Sequence, residues 1–435
     1  LCSTGTQVAM KNYHIWTIGC QMNTADSERL ESAFGQMGLQ PAPTAVDADI
    51  VVLNSCVVRQ KAEDRVVGMI KNVSHLKNDD PDKIVALMGC MVGSKTKELE
   101  HRFPQVDVFM QPQQFQPLLE IVGSRIGLDP SGCIGPLTAK PDITAHIPIN
   151  KGCDKFCSFC IIPYRRGREI SRPVAEVVNE CGLLTNRGVK EVTLLGQNVD
   201  SYGHDLPGSP DLGDLLTGVN NIRDLDRIRF LTSHPSDMSD HIIDTIANLG
   251  KVCEHINLPF QAGDDEILSK MRRGYTGDEY RRLIEKIRTR IPNVSLSTDL
   301  IVGFCGETDI QFQKTLDMIQ DVRFDKIHSA AYSDRAGTIA ARKLEDNVTS
   351  EEKRSRLQTI DQIQEGIQSE INLELLGQTM EILVEGKRRG KIQGRNRNDK
   401  LVYLQGADSF IGELVTARIT ATGPWSLQGV VETAA

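Results

Sequence analysis

Cys153, Cys157 and Cys160 fall within eight residues, with three residues in the first gap and two in the second. That spacing lets one short loop wrap three thiolates around a single iron–sulfur cluster, thiolate being the protein's usual ligand for such clusters. A four-iron cube needs four ligands, and no fourth cysteine lies nearby; the next in the chain is Cys181. One iron is therefore left open, as catalytic metal sites require. A zinc knuckle and chance clustering are the alternatives, although zinc wants a fourth ligand and usually paired CxxC units.

A second set is scattered. Cys20, Cys56 and Cys90 each end a short β-branched run, over 14–20, 50–56 and 84–90. Helical patterns lie between these runs, predicted over 25–38, with Asp26 and Ser27 in the starting turn, and over 61–76. Such alternation means βαβ units and a doubly wound parallel sheet. Ligands of open α/β sheets gather at the carboxyl ends of the strands, where all three cysteines would sit. The arrangement fits a second three-cysteine cluster site; the alternative is three buried, unrelated thiols.

The elements that must position the central loop come next in the chain. A Pro-, Gly- and Ser-rich linker is expected over 128–145, and its Cys133 takes no role. Strands are predicted over 146–150, 191–195, 228–232, 255–259, 295–302 and 326–332, with helices such as 173–186 and 278–290 between them. Six βα units suggest a partial (β/α)6 barrel, whose chemistry sits at the C-terminal ends of its strands. Gly196-Gln197-Asn198, Thr232-Ser233-His234-Pro235, Gln261-Ala262-Gly263 and Gly303-Phe304 fall there. His234, ahead of a proline in a tight turn, is read as structural, and Cys181 and Cys253 as core residues. After a charged helical stretch, 350–374, five short strands suggest a small β-barrel. Lys387, Arg388, Arg389, Lys391, Arg395, Arg397 and Lys400 crowd onto it, and Tyr164-Arg165-Arg166-Gly167-Arg168 offers a second basic stretch. A charge run alone is usually a solvated face; the alternative is contact with phosphate.

At 435 residues the chain calls for several domains: an N-terminal one over 13–127, a central one over 146–373 and a C-terminal one over 374–433. Residues 1–12 read as a disordered or expression-derived tail. With 40 % hydrophobic and 25 % charged residues and no apolar run of about 18, a soluble, cytoplasmic protein without membrane spans is expected. Eleven cysteines without a secretory signal argue for metal ligands rather than disulfides. A net charge of −8 argues against nucleic acid in the mean, but its uneven distribution matters more.

CxxxCxxC with Phe159 before its last cysteine resembles the signature of radical S-adenosylmethionine (SAM) enzymes. In that family the amino and carboxylate groups of SAM chelate the open iron, and one electron cleaves the sulfonium to a 5′-deoxyadenosyl radical. Gly19-Cys20-Gln21-Met22-Asn23 with Asp26-Ser27-Glu28, Leu53-Asn54-Ser55-Cys56 with Lys61-Ala62-Glu63, and Gly89-Cys90-Met91 resemble the methylthiotransferase subgroup. Glu191 to Val199, Phe230 to Pro235, Gly274-Tyr275-Thr276, Ser297 to Phe304 and Arg335-Ala336-Gly337-Thr338 are similar to its MiaB-type branch, which acts on N6-isopentenyladenosine in tRNA. Cys305 departs from the family, which usually has proline there; the loss frees φ and puts the rigidity of that loop in doubt. The C-terminal strands resemble the TRAM RNA-binding barrel.

The resemblance implies two [4Fe–4S] clusters, one on Cys153, Cys157 and Cys160, the other, auxiliary, on Cys20, Cys56 and Cys90. It also implies SAM lying along Phe159, Gly196 and Gln197, with Ser233, Gln261, Arg273 and Asp299 as further contacts. The implied reaction inserts a methylthio group at C2 of N6-isopentenyladenosine beside the anticodon. An electron donor such as flavodoxin or ferredoxin is implied as a partner, tRNA would contact Arg165, Arg166, Lys387, Arg388, Arg389 and Arg395, and a monomer is expected. The alternatives are a methylthiotransferase acting on threonylcarbamoyladenosine or on a ribosomal protein, and a noncatalytic tRNA-binding Fe–S protein.

Overall fold

The computed structural model describes residues 10–57, 60–93, 96–128 and 142–432. The start of the predicted tail, most of the linker and Cys133 lie outside the described residues. The chain forms two compact units. Residues 10–128 make one, together with Ala145–Asp154 and Ile161–Ile170, and the rest of the described chain makes the other.

The first unit is built on a parallel sheet. Its strand order is Gln40–Pro41, Asn12–Thr17, Ile50–Ser55, Ile84–Gly89, Val108–Met110. Ile50–Ser55 and Ile84–Gly89 are buried at every residue, as expected of unbroken apolar runs in a doubly wound sheet. The order reverses between Asn12–Thr17 and Ile50–Ser55, and the crevice at such a switch point is where open α/β sheets bind ligands. Cys20 follows one of these two strands and Cys56 the other.

One boundary differs from expectation. The first helix is Gln21–Gln36, not 25–38, because Cys20 itself is the N-cap, with extended backbone (φ −91°) and a carbonyl that accepts from the Asn23 N–H. Asp26 and Ser27 therefore lie in the second turn, buried rather than at the helix start.

In the second unit Glu191–Leu195 pairs in parallel with Arg227–Leu231, and His255–Asn257, Ser295–Val302 and Lys326–Ala331 pair in parallel in that order. These are strands of the partial barrel. Helices follow with side-chain caps: Thr276, Thr308 and Thr349 each form a reciprocal box with Glu279, Gln311 and Glu352. The C-terminal strands Thr379–Arg388, Lys391–Asn396, Leu401–Gln405, Leu414–Thr422 and Leu427–Val431 close into a barrel around Ile382, Val402, Leu404 and Ile419.

This small barrel shares a unit with the central strands because buried ions join them. The Arg227 guanidinium, fully buried, donates to the Arg395 carbonyl at 2.7 Å and to Glu381. Arg229 donates to the carbonyls of Arg397 and Asn396 and pairs with Glu191 at 2.9 Å, both side chains about 95 % buried. Arg229→Met leaves the Glu191 carboxylate buried without its cation, and removing one partner of such a pair costs ~3–5 kcal/mol. Thermal denaturation should show a fall in the unfolding midpoint on the order of 10 °C. Adding Glu191→Gln should restore most of it.

Candidate active site

Cys20, Cys56 and Cys90 sit just past the carboxyl ends of the three central strands of the first unit, Cys20 exposed and the other two buried. Two glycines allow the approach. Gly89 has φ +96°, and a Cβ there would meet the Ser55 carbonyl at 2.4 Å; at Gly19 it would meet the Asn23 side chain at 2.8 Å. Ser55 ties the two inner loops, accepting from Cys90 N through its carbonyl and donating through Oγ to the Met88 carbonyl.

Beneath the thiols runs a buried polar network whose members the motif pattern marks without assigning them a role. Asn23 Nδ2 donates to Asn54 Oδ1 at 3.0 Å and to the Ser55 carbonyl at 2.8 Å, and Asn54 Nδ2 returns a bond to the Asn23 carbonyl. Ser27 Oγ accepts from Asn54 Nδ2 and bonds Thr17 Oγ1. Helix and strand ends are thereby locked together, which fixes the backbone on either side of Cys20 and Cys56.

Burial pushes the Cys90 thiol up to about 11, with the Cys20 and Cys56 thiols adding to the rise, while the Arg166 charge opposes it. All three thiols lie at one end of one parallel sheet. They are nevertheless wider apart than ligands of one ion. Among the described residues the one trio of ligand atoms lying within 4.8 Å of one another is Asp211, Asp214 and His241. A tetrahedral zinc would hold its sulfurs about 3.8 Å apart. An all-sulfur donor set opened beyond that spacing fits a polynuclear iron–sulfur centre better.

Arg166 requires a correction. Read with its neighbours as a basic surface for RNA, its side chain is 1 % exposed, against Asp26 at 0 %. Its Nε donates to Cys90 Sγ at 3.3 Å and its Nη2 to Asn23 Oδ1 at 3.3 Å and Asp26 Oδ2 at 3.4 Å. Burial and these bonds keep it from phosphate. Arg165 is half-buried, its Nη1 beside Gly93.

Of the CxxxCxxC loop, Cys153 belongs with the first unit, its N–H donating to the Gly167 carbonyl. Cys157 and Cys160 belong with the second. There Ser158 anchors the loop, donating from N to the Met271 carbonyl and from Oγ to the Lys270 carbonyl, and accepting from Ala340 N. Phe159 packs against the core of Ile267, Met271, Phe304 and Tyr332, so this aromatic seats the loop. Arg273 is buried with Nη1 on Cys157 Sγ at 3.4 Å, Nη2 on the Pro259 carbonyl and Nε on Tyr275 Oη. It holds the Cys157 sulfur in place.

The other SAM candidates meet at adjoining strand ends of the second unit. Ser233 N donates to the Asn257 carbonyl, Asn257 Nδ2 to Asp299 Oδ2 at 3.1 Å, and Gln261 N to the Asp299 carbonyl. Gln261 adopts φ +68°. Gly196 is buried and Gln197 half-buried after Leu195. Sequence reasoning missed Asp200, which accepts from Ser233 Oγ at 2.9 Å and from His234 N. Burial pushes its carboxyl up to about 7 against those two bonds. Its position in a strand-end loop, three residues past Gln197, is the signal that could have found it. His234 is driven down to about 2 by burial, then by the Arg273 and Lys155 charges; the neutral ring accepts from Ser236 N.

The loop with Cys305 is held without proline. Gly303 N donates to Glu307 Oε2, Gly306 N to Asn347 Oδ1, and Glu307 pairs with buried Arg356 at 2.9 Å. The basic run of the small barrel divides. Arg397 pairs with Glu254, Lys400 with Asp325, and Arg395 with Asp399, donating also to its carbonyl. Arg389, on the two-residue turn Arg389–Gly390, and the flanking Arg388 and Lys391 are exposed, Arg389 and Gly390 both at positive φ, and Lys387 meets Asp408.

Three family models match: the Radical SAM superfamily over residues 147–319, the TRAM domain over 374–431, and Uncharacterized protein family UPF0004 over 12–111. A tRNA-2-methylthio-N(6)-dimethylallyladenosine synthase of Roseiflexus sp. (strain RS-1) is 49 % identical over 97 % of this chain and 90 % of its own. Synthases of that name from Herpetosiphon aurantiacus and Dehalococcoides mccartyi (strain CBDB1) are 48 % and 47 % identical over 96 % of this chain, and 96 % and 98 % of theirs. Among solved structures, the radical SAM methyltransferase TsrM from Kitasatospora setae, with cobalamin and a [4Fe-4S] cluster bound, gives a TM-score of 0.56 at 16 % identity, covering 76 % of this chain and 77 % of that one. The cobalamin-dependent radical SAM enzyme OxsB gives 0.51 at 12 % identity over 82 % of this chain and 56 % of its own. Both are alike in fold. No described helix is long and apolar enough to cross a membrane.

Proposed function

The chain belongs to the tRNA-2-methylthio-N(6)-dimethylallyladenosine synthase family of radical SAM enzymes, and from that premise we propose that it inserts a methylthio group at C2 of N6-dimethylallyladenosine (the isopentenyl nucleoside) beside the tRNA anticodon. The likeness to those synthases, running through all three parts of the chain, carries the reading. Membership in the radical SAM superfamily implies one four-iron cluster and SAM. Cys153, Cys157 and Cys160 are the residues to hold that cluster, and Cys20, Cys56 and Cys90 a second, auxiliary one. When bound, the first with SAM supplies one-electron cleavage of the sulfonium, which a C–H without acidity demands.

The protein's own residues place and shield the reactants. Arg273 and Ser158 hold the Cys157 segment, while Ser233, Gln261 and Asp299, with Gly196 and Gln197, offer polar groups to SAM at the strand ends. Asp200 orients the Ser233 hydroxyl. The adenine must be splayed from the anticodon loop to reach this mouth. A flavodoxin- or ferredoxin-type donor supplies the electron, the enzyme acts as a monomer, and its tRNA substrate places it in the cytoplasm. Anaerobic reaction with tRNA bearing N6-dimethylallyladenosine, followed by nucleoside mass spectrometry, should give the 2-methylthio derivative; turnover of unprenylated tRNA alone would contradict the assignment.

Exposed Arg388, Arg389 and Lys391 are the phosphate-binding groups of the small barrel. Replacing all three with Ala should weaken tRNA binding and reduce the slope of log K against log salt by up to about three, roughly one for each phosphate no longer neutralised. Arg395→Ala, whose guanidinium is spent on Asp399, should leave the slope where it is. Filter binding over a salt series checks both.

A further inference from the structure

Arg166 lies six residues after Cys160, on the short helix Ile162–Arg166 that continues the CxxxCxxC segment. Yet within the first unit its guanidinium reaches the other cysteine set. One edge donates to Cys90 Sγ at 3.3 Å, and the fork rests on Asp26 Oδ2 at 3.4–3.5 Å. Nη2 also donates to Asn23 Oδ1, the same oxygen that accepts from Cys20 Sγ at 3.6 Å. One cation, 140 residues from Asp26 in sequence, thus touches Cys90 directly and Cys20 through Asn23.

A buried arginine is not needed to fill this space, and apolar residues often replace buried ion pairs without loss. What an apolar residue cannot do is oppose negative charge. Three thiolates brought together at the carboxyl end of the sheet repel one another, and hydrogen bonds and charge at ligand sulfurs set both the affinity and the potential of iron–sulfur centres. We propose that Arg166 is the positioning residue of the auxiliary site: its Nε–H to Cys90 and its charge hold the Cys20, Cys56 and Cys90 thiolates ready for a cluster and raise that cluster's reduction potential. The segment carrying the radical-forming cysteines thereby also governs the auxiliary site. Asp26 orients the guanidinium. The inference rests on the reading of these three cysteines as cluster ligands.

The test uses the full chain with Cys153, Cys157 and Cys160 replaced by Ala, so that any bound iron reports on the other set. After anaerobic reconstitution this parent should hold about four irons; a parent without iron defeats the cluster reading itself. On that background Arg166→Met with Asp26→Asn, which removes cation and anion together, should retain under half the iron. What remains should show an EPR-monitored midpoint shifted to lower potential. Arg166→Lys, which keeps the charge beside Asp26 but loses the fork, should recover most of the iron at an intermediate midpoint. Wild-type iron and midpoint in the Met/Asn protein would overturn the proposal while leaving the cluster reading intact. So would equal iron loss in the Lys protein with an unshifted midpoint, since packing alone then accounts for Arg166. Should the Met/Asn protein fail to fold by circular dichroism, Arg166→Lys decides: an unshifted midpoint overturns the proposal.

Discussion

Cys153→Ala, Cys157→Ala and Cys160→Ala together should abolish 5′-deoxyadenosine formation from SAM and the methylthiolated nucleoside with it, and should leave the reconstituted chain with about half its iron. The size of the effect follows from where the ligands lie. All three come from one loop of eight residues, so no other segment can replace them. Most of the loop's mounting does not involve its thiols: apart from the Arg273 bond to Cys157 Sγ, Ser158 holds it by three backbone-directed bonds and Phe159 by packing, so the variant should keep its fold. If each set holds four irons, the wild type carries about eight and the variant about four. Iron assay and circular dichroism on the same sample check both statements. Loss of all the iron, or of none, would contradict two separate sites.

Cys20→Ala, Cys56→Ala and Cys90→Ala together should abolish the methylthio product while SAM cleavage to deoxyadenosine continues. Here the cysteines come from three loops at the carboxyl ends of three strands, and the sheet beneath them, with the Asn23–Asn54–Ser27 bonds, is held mainly by groups other than the thiols. Single substitutions should rank by burial and partners. Cys90→Ala is the most damaging, since Cys90 is buried and its loss leaves Arg166 facing no sulfur. Cys20, exposed at the helix N-cap, is the mildest.

Much of this was legible in the chain because strand signals are local. Glu191–Leu195, Ser295–Val302 and Leu427–Val431 end where their β-branched runs end. The start of the helix after the first strand differs from expectation by four residues because its cap is a cysteine, which is outside the usual capping residues. Basic residues were the least legible, since a charge declares itself in sequence but its partner does not. Arg166, Arg395, Arg397 and Lys400 read as a face for phosphate. Only the fold brings Asp26, Asp399, Glu254 and Asp325 to them. Arg388 and Arg389 stay outward because they sit at a hairpin turn. The Cys305 loop shows the converse: a missing proline suggests looseness, and a buried Glu307–Arg356 pair supplies the restraint instead.

The division of labour between the two cysteine sets is tested most directly by one anaerobic reaction run in parallel on the wild type and both triple variants. Each contains tRNA bearing N6-dimethylallyladenosine, SAM and reductant, with deoxyadenosine and 2-methylthio nucleoside quantified in the same sample. The wild type should give both, the Cys20/Cys56/Cys90 variant deoxyadenosine alone, and the Cys153/Cys157/Cys160 variant neither. Wild-type amounts of methylthio nucleoside from the Cys20/Cys56/Cys90 variant would contradict the sulfur-carrying role and leave the first unit a structural one.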